Sequence, residues 1–183
     1  MKQNLKVTHY NDGSEIQYVQ DESVEPDVWE NLSTGAYGYY NDDLSHQETY
    51  GNLYNWYAVD DSRGICPEGF HVPSDEEYMT LEMYLGMSDS VANSTGWRGT
   101  DEGSKLAGKA DLWNKGNLEN NSEFGTSSFN GIPAGSRDSD SGNDIDVSGE
   151  TTSPYGLAIK EEVTPSAFYV GSCLLYTSPS PRD

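Results

Sequence analysis

Residues 49–86 read TYGNLYNWYAVDDSRGICPEGFHVPSDEEYMTLEMYLG, and the reading of this stretch decides the fold. Its first part, 53–59, is dense in Leu, Tyr, Trp and Val, the bulky residues that favour a pleated, half-buried surface, so it predicts a strand. Asp60, Asp61, Ser62, Arg63 and Gly64 then supply turn chemistry. Residues 66–73 are expected to be irregular, because Pro67 and Pro73 each remove a backbone donor. Ser74 stands three residues before Glu77, the spacing of a capping box in which each side chain serves the other's backbone. Asp75 and Glu76 place negative charge where a helix dipole is positive. Tyr78, Leu81 and Leu85 recur at helical spacing, and Gly86 is a natural stop, so a helix is predicted over about 75–85.

Outward from this stretch the elements are short. Towards the N-terminus, 4–10 predicts a strand with Leu5 and Val7 on one face. Asn11-Asp12-Gly13 is a hairpin-type turn and 16–19 the returning strand. Residues 28–32 read either as a short helical turn or as loop. Ala36 to Tyr40 predicts an aromatic strand, followed by a polar loop over 41–48. Towards the C-terminus, a polar loop over 87–99 contains Trp97. A second short helix is expected within 100–108, with Thr100 as its cap. An irregular loop over 110–125 is built around Trp113, and a short strand follows at 129–133. Residues 137–150 form an acidic Gly/Ser loop, and 151–160 and 167–170 are the last readable strands.

The chain has 183 residues, the length of one ordinary domain. It carries 10 basic against 31 acidic residues, a net charge of -21, which excludes nucleic acid as a natural partner because such binding needs basic surface. Hydrophobic content is low at 34% while aromatics reach 11%, so the core has to rest on a few large side chains. No run approaches the ~18 apolar residues of a transmembrane helix, and the opening MKQNLKVTHY shows no apolar signal-peptide region.

Three constellations bear on function. Asp138, Asp140, Asp144 and Asp146 alternate through a Gly/Ser loop and form a candidate calcium site, since calcium takes several oxygen ligands. The competing reading of that loop is a solvated acidic surface. Trp97, Trp113, Tyr39 and Tyr40 are candidate ligand-binding aromatics, able to stack on sugar rings or anchor a protein. The competing reading is that they pack internally, as Tyr54 and Trp56 are expected to do. His9, His46 and His71 share no zinc-ligand spacing. His71 is expected to be a packed residue bonded to backbone. No nucleophile elbow or phosphate loop is present, and no catalytic residue is assigned.

The stretches TYGNLYNWYAV, CPEGFHVPSDEEY and GTSSFNGIPAGSRD closely resemble the Fibrobacter succinogenes major paralogous domain, and NLKVTHYNDG and GAYGYYNDD fit the same family. The resemblance spans roughly residues 1–171. It implies an α+β, C-type-lectin-like fold: a curled antiparallel sheet, one or two helices and long loops. It also implies a bacterial secreted or lipid-anchored protein, extracellular or at the cell surface, and an N-terminus preceded by further residues. It brings no established activity with it. The expected role is therefore a non-catalytic binding module for glycans or surface proteins, with calcium as a possible organiser. The alternative is a passive spacer domain of a larger surface protein. A formylglycine-generating-like oxidase, whose fold is related, comes last because that chemistry uses a pair of active-site cysteines. Members of the family often pair a cysteine at the place of Cys66 with one in the last strand. Here residues 172–183, SCLLYTSPSPRD, match nothing in the family and read as a disordered sequencing-adapter or cloning scar. Cys66 is accordingly expected to be a small packed hydrophobe with no partner in this chain.

Overall fold

The computed structural model describes residues 3–20, 31–94 and 98–134, together with the backbone of 174–175. Its central element is a three-stranded sheet in the order β1 (Gln17–Tyr18), β2 (Ala36–Tyr39), β3 (Asn52–Tyr54). The β2–β3 pair is antiparallel, with Tyr37 opposite Tyr54 and Gly38 opposite Leu53. The β1–β2 pair is parallel, with Tyr18 opposite Tyr37. The sheet is thus mixed, where a wholly antiparallel one was expected. The hairpin expected over 4–19 reduces to one antiparallel bridge, His9 to Glu15, closed by Tyr10 N donating to Ser14 O at 2.9 Å. The segment before it lies along β3 instead. Asn52 N donates to Leu5 O at 2.9 Å, Asn4 Nδ2 to Tyr50 O at 2.7 Å and Tyr54 Oη to Val7 O at 2.7 Å.

The strand expected over 53–59 stops at Tyr54. Asn55 caps a single helical turn, α2 (Trp56–Val59), its Oδ1 accepting from Ala58 N at 3.0 Å. The same oxygen accepts from Ala36 N at 2.9 Å and its Nδ2 donates to Thr34 O at 2.9 Å. One buried amide therefore turns the chain and ties the turn to β2. Between β2 and β3 the expected loop is wound into two 3-10 turns (Tyr40–Asp42 and Leu44–His46) and α1 (Gln47–Tyr50). Gly51 ends this run at φ +78°; a Cβ there would stand 2.7 Å from Asn4 Cβ and Leu5 O, so only glycine lets the N-terminal segment pass.

Leu5, Tyr10, Ile16, Tyr37, Tyr54, Ala58, Ile65 and Cys66 make the main core, and Val19 and Ala36 a smaller one with Leu32 beside it. Cys66, expected to be unpartnered, is disulfide-bonded. Phe70–His71 form β4, which pairs antiparallel with β5 (Leu174–Leu175). Two residues of the segment expected to be disordered thus stand in a strand.

The best-signalled helix is present as α3 (Asp75–Tyr84), with both halves of the Ser74/Glu77 capping box formed. Glu77 also receives His71 Nε2 at 2.9 Å, so His71 is half-exposed and bonded to a carboxylate, where a packed histidine on backbone was expected. The buried face of α3 departs from a purely apolar stripe: Tyr78 is buried as expected, and so is Glu82. A further turn, α4 (Asp89–Ala92), follows inside the expected polar loop, and α5 (Glu102–Leu106) is the expected second helix. Its N-cap is Asp101 without a side-chain bond, and Thr100 does not cap it. The Glu102 carboxylate accepts from Thr100 N at 2.7 Å and Asp101 N at 3.2 Å instead. The strand expected at 129–133 reduces to one parallel bridge, Ala107 to Gly131. The strands expected at 151–160 and 167–170 lie outside the described residues.

Candidate functional site

Two surfaces merit consideration, one aromatic and one polar. The first follows from strand periodicity. Tyr37 and Tyr39, two residues apart on β2, share a face. The register adds Tyr18 from β1 and Tyr54 from β3 to the same row. Ring centroids are 6.2 Å apart for Tyr54 and Tyr37, 5.7 Å for Tyr37 and Tyr39, and 4.9 Å for Tyr39 and Tyr18. Burial falls along this ladder. Tyr54 is 0% exposed, Tyr37 7%, Tyr39 is half-buried and Tyr18 reaches 39%. Desolvation holds the Tyr54 phenol far above its ordinary value, and pushes Tyr37 up to about 12, helped by the Tyr39 hydroxyl. The inner rungs therefore stay neutral, and of the outer two Tyr18 is exposed while Tyr39 packs partly against the core with its hydroxyl bonded to Tyr37.

The second surface is a cleft of about 220 Å³ between the start of α5 and the loop after it. Arg98 forms one wall. Its Nε donates to the Glu82 carboxylate at 3.1 Å and its Nη2 stands 2.9 Å from Glu82 Oε2, while Nη1 donates to Ser94 O at 3.1 Å. Both side chains are well buried, so the cation is matched by an anion beneath the cleft. Ser104, buried on α5, donates to Leu118 O at 3.1 Å and so keeps the opposite wall in place. Thr100, Asn117 and Asn121 complete the polar lining, and the Asn121 Oδ1 also accepts from Glu123 N at 2.9 Å.

The expected site residues fall in different places. Tyr39 is a rung of the ladder. Tyr40 leaves it: its ring stacks on Tyr50 at 4.2 Å and meets His46 edge-on. Trp113 is half-buried and donates its indole N–H to Gly108 O at 2.9 Å, so its polar edge is engaged internally. Trp97, and the calcium candidates Asp138, Asp140, Asp144 and Asp146, lie outside the described residues. Among the described residues no cluster of three or more His, Cys, Asp or Glu is placed to hold a metal ion. Tyr18 was not singled out, although it lies in the strand expected over 16–19; what was hidden is the parallel pairing that brings it beside Tyr37. Thr100, Ser104, Asn117 and Asn121 carry no sequence signal beyond loop polarity.

No helix among the described residues is long and apolar enough to cross a membrane. A family model, that of the Fibrobacter succinogenes major domain, matches residues 1–155. No curated protein matches the chain, and no solved structure does.

Proposed function

We propose a role for this chain from the premise that it belongs to the Fibrobacter succinogenes major domain family: it is a non-catalytic binding module for glycans, working outside the cell or at its surface. The observation that carries this reading is the tyrosine ladder. Its inner rungs are locked in the core, so Tyr18 and Tyr39 are held at the surface with little conformational entropy left to lose on binding. Ring faces backed by hydroxyls suit a sugar, whose C–H face stacks while its hydroxyls hydrogen-bond. The disulfide at Cys66 supports an oxidising compartment, and the net charge of -21 supports a solvated surface protein. The reading includes a C-type-lectin-like arrangement, supported by short strands, flanking helices and long connections.

Retention on immobilised polysaccharides is the test, run with and without a calcium chelator. Tyr18→Ala and Tyr39→Ala are each expected to weaken retention about tenfold. Retention unchanged in both variants, or no retention of the parent on any polysaccharide, defeats the reading. A second reading, a passive spacer in a larger surface protein, is favoured by Tyr40 and Trp113, both of which are spent on internal contacts. Absence of any ligand together with neighbouring domains in one reading frame supports that alternative.

A further inference from the structure

We infer that the cleft between Arg98 and Asn121 is a second, metal-independent site that takes a single uncharged sugar ring. Three observations lead there. First, its volume of about 220 Å³ lies below the ~300–1,000 Å³ of pockets for drug-sized ligands, so the occupant is one small ring rather than a chain. Second, the lining offers the Thr100 hydroxyl, the Asn117 carboxamide and the Asn121 Nδ2, with Leu118 as an apolar patch, while the Ser104 hydroxyl donates to Leu118 O and Asn121 Oδ1 accepts from Glu123 N. Carboxamides both donate and accept, which fits a ligand bearing many hydroxyls that do the same. Third, the cleft's charge is already balanced. The Arg98 guanidinium is turned onto Glu82 and Ser94 O, so it is not available to bind an anion. An acidic ligand would also meet the net charge of -21. A cation finds no carboxylate in the lining.

The site is separate from the tyrosine ladder, and the inference rests on the glycan side of that reading while adding a place and a ligand class. A chelator is expected to have no effect, because no carboxylate lines the cleft to hold a metal ion.

Saturation-transfer NMR and calorimetry on the full chain test it, with glucose, galactose, mannose and N-acetylglucosamine set against glucuronate and glucosamine. A neutral monosaccharide is expected to bind with Kd on the order of 1–10 mM, the range a ligand of about a dozen heavy atoms reaches. Asn117→Ala removes an exposed carboxamide and is expected to weaken binding about tenfold. Thr100→Trp, also at an exposed position, fills the mouth and is expected to abolish it. Circular dichroism checks that both variants fold. No binding of any neutral sugar, binding unchanged in both variants, or equal binding of the charged sugars overturns the proposal. Tyr18→Ala separates the two readings. It is expected to weaken polysaccharide retention about tenfold and to keep monosaccharide binding in the cleft. Monosaccharide binding lost in Tyr18→Ala and kept in Thr100→Trp puts the sugar on the ladder and overturns the cleft.

Discussion

Residues 4–66 and residues 75–134 are held together by different physics. The first segment gathers Tyr10, Tyr37, Tyr54, Ile65 and their neighbours into an apolar core, and its polar contacts run from side chains to backbone around that core. The second segment buries Tyr78, Met87, Leu106, Phe129 and Ile132, fewer large apolar side chains than the first. It also buries Glu82, Glu102 and Ser104, each with partners, and a polar contact joins the end of α3 to α5. Lys105 Nζ donates to Leu85 O at 2.7 Å at the C-terminal end of α3 and pairs with Asp101 at 2.8 Å, while Arg98 reaches Glu82. The comparison teaches how a chain with only 34% hydrophobic residues is able to fold. Large apolar side chains are densest around the sheet, and the buried polar groups differ in kind: neutral carboxamides of Asn4, Asn52 and Asn55 bonded to backbone in the first segment, the carboxylates of Glu82 and Glu102 in the second. Such pairs are unforgiving, because a buried group that loses its partner is left unsatisfied.

The widest separation between the two halves is expected at the Glu82–Arg98 pair. Arg98→Ala leaves a buried carboxylate uncompensated and is expected to cost about 3–5 kcal/mol in urea denaturation. Replacing both partners, Glu82→Leu with Arg98→Met, is expected to lie within about 1 kcal/mol of the parent or to be more stable. If Arg98→Ala behaves like a surface change, below about 0.5 kcal/mol, charge pairing does not hold the second half and the contrast fails.

In the first half the largest polar effect belongs to Asn55. Asn55→Ala removes the α2 cap and leaves the buried Ala36 N without its partner, and it also frees Thr34 O at the exposed edge of the same turn. A loss of about 2–3 kcal/mol is expected. Asn55→Asp keeps the acceptor and loses the donor to Thr34 O, so it is expected to recover the α2 cap without restoring the parent's stability. A smaller step is Tyr54→Phe, which keeps the ring and loses one hydrogen bond to Val7 O; about 1–1.5 kcal/mol is expected. Hydrogen exchange sharpens it: protection of Asn52 N, which donates to Leu5 O, is expected to fall if the N-terminal segment is held by this row of bonds.

These two residues also mark where sequence reading works and where it stops. The capping box at Ser74 and Glu77 was legible because both partners are local. Asn55 was written in the sequence too, yet five β-forming neighbours hid its capping role. Propensity spoke for a strand through Val59, and the tie from Asn55 to Ala36 N, nineteen residues back, won. Glu82 stands four residues after Tyr78, on the face that turns inward, but nothing local announces that Arg98 will meet it. Tyr39 as a candidate was legible from its aromatic setting. Tyr18 was not, since the apparent hairpin over 4–19 pointed to antiparallel pairing and the observed partner is β2 in a parallel register. The cleft was wholly illegible, because it is made of ordinary loop residues brought together by α5 and Leu118.

The smallest effect expected is also the most direct probe of the ladder. Tyr37 ionises only near about 12, because burial and then the Tyr39 hydroxyl disfavour its phenolate. In the unfolded chain the same phenol ionises near about 10. A raised folded value means that the group's contribution to stability is fully present below about pH 10 and is lost as pH rises through about 12. Phenolate absorbance followed against pH is therefore expected to show a late step that coincides with alkaline unfolding and contains both Tyr37 and the more deeply buried Tyr54, and Tyr37→Phe is expected to remove one phenolate from that step. If Tyr37 titrates at the ordinary value while the protein stays folded, water reaches the inner ladder. The first half would then be wetter than its packing indicates, Tyr18 and Tyr39 would lack the rigid backing that makes them a platform, and the contrast between the two halves would narrow.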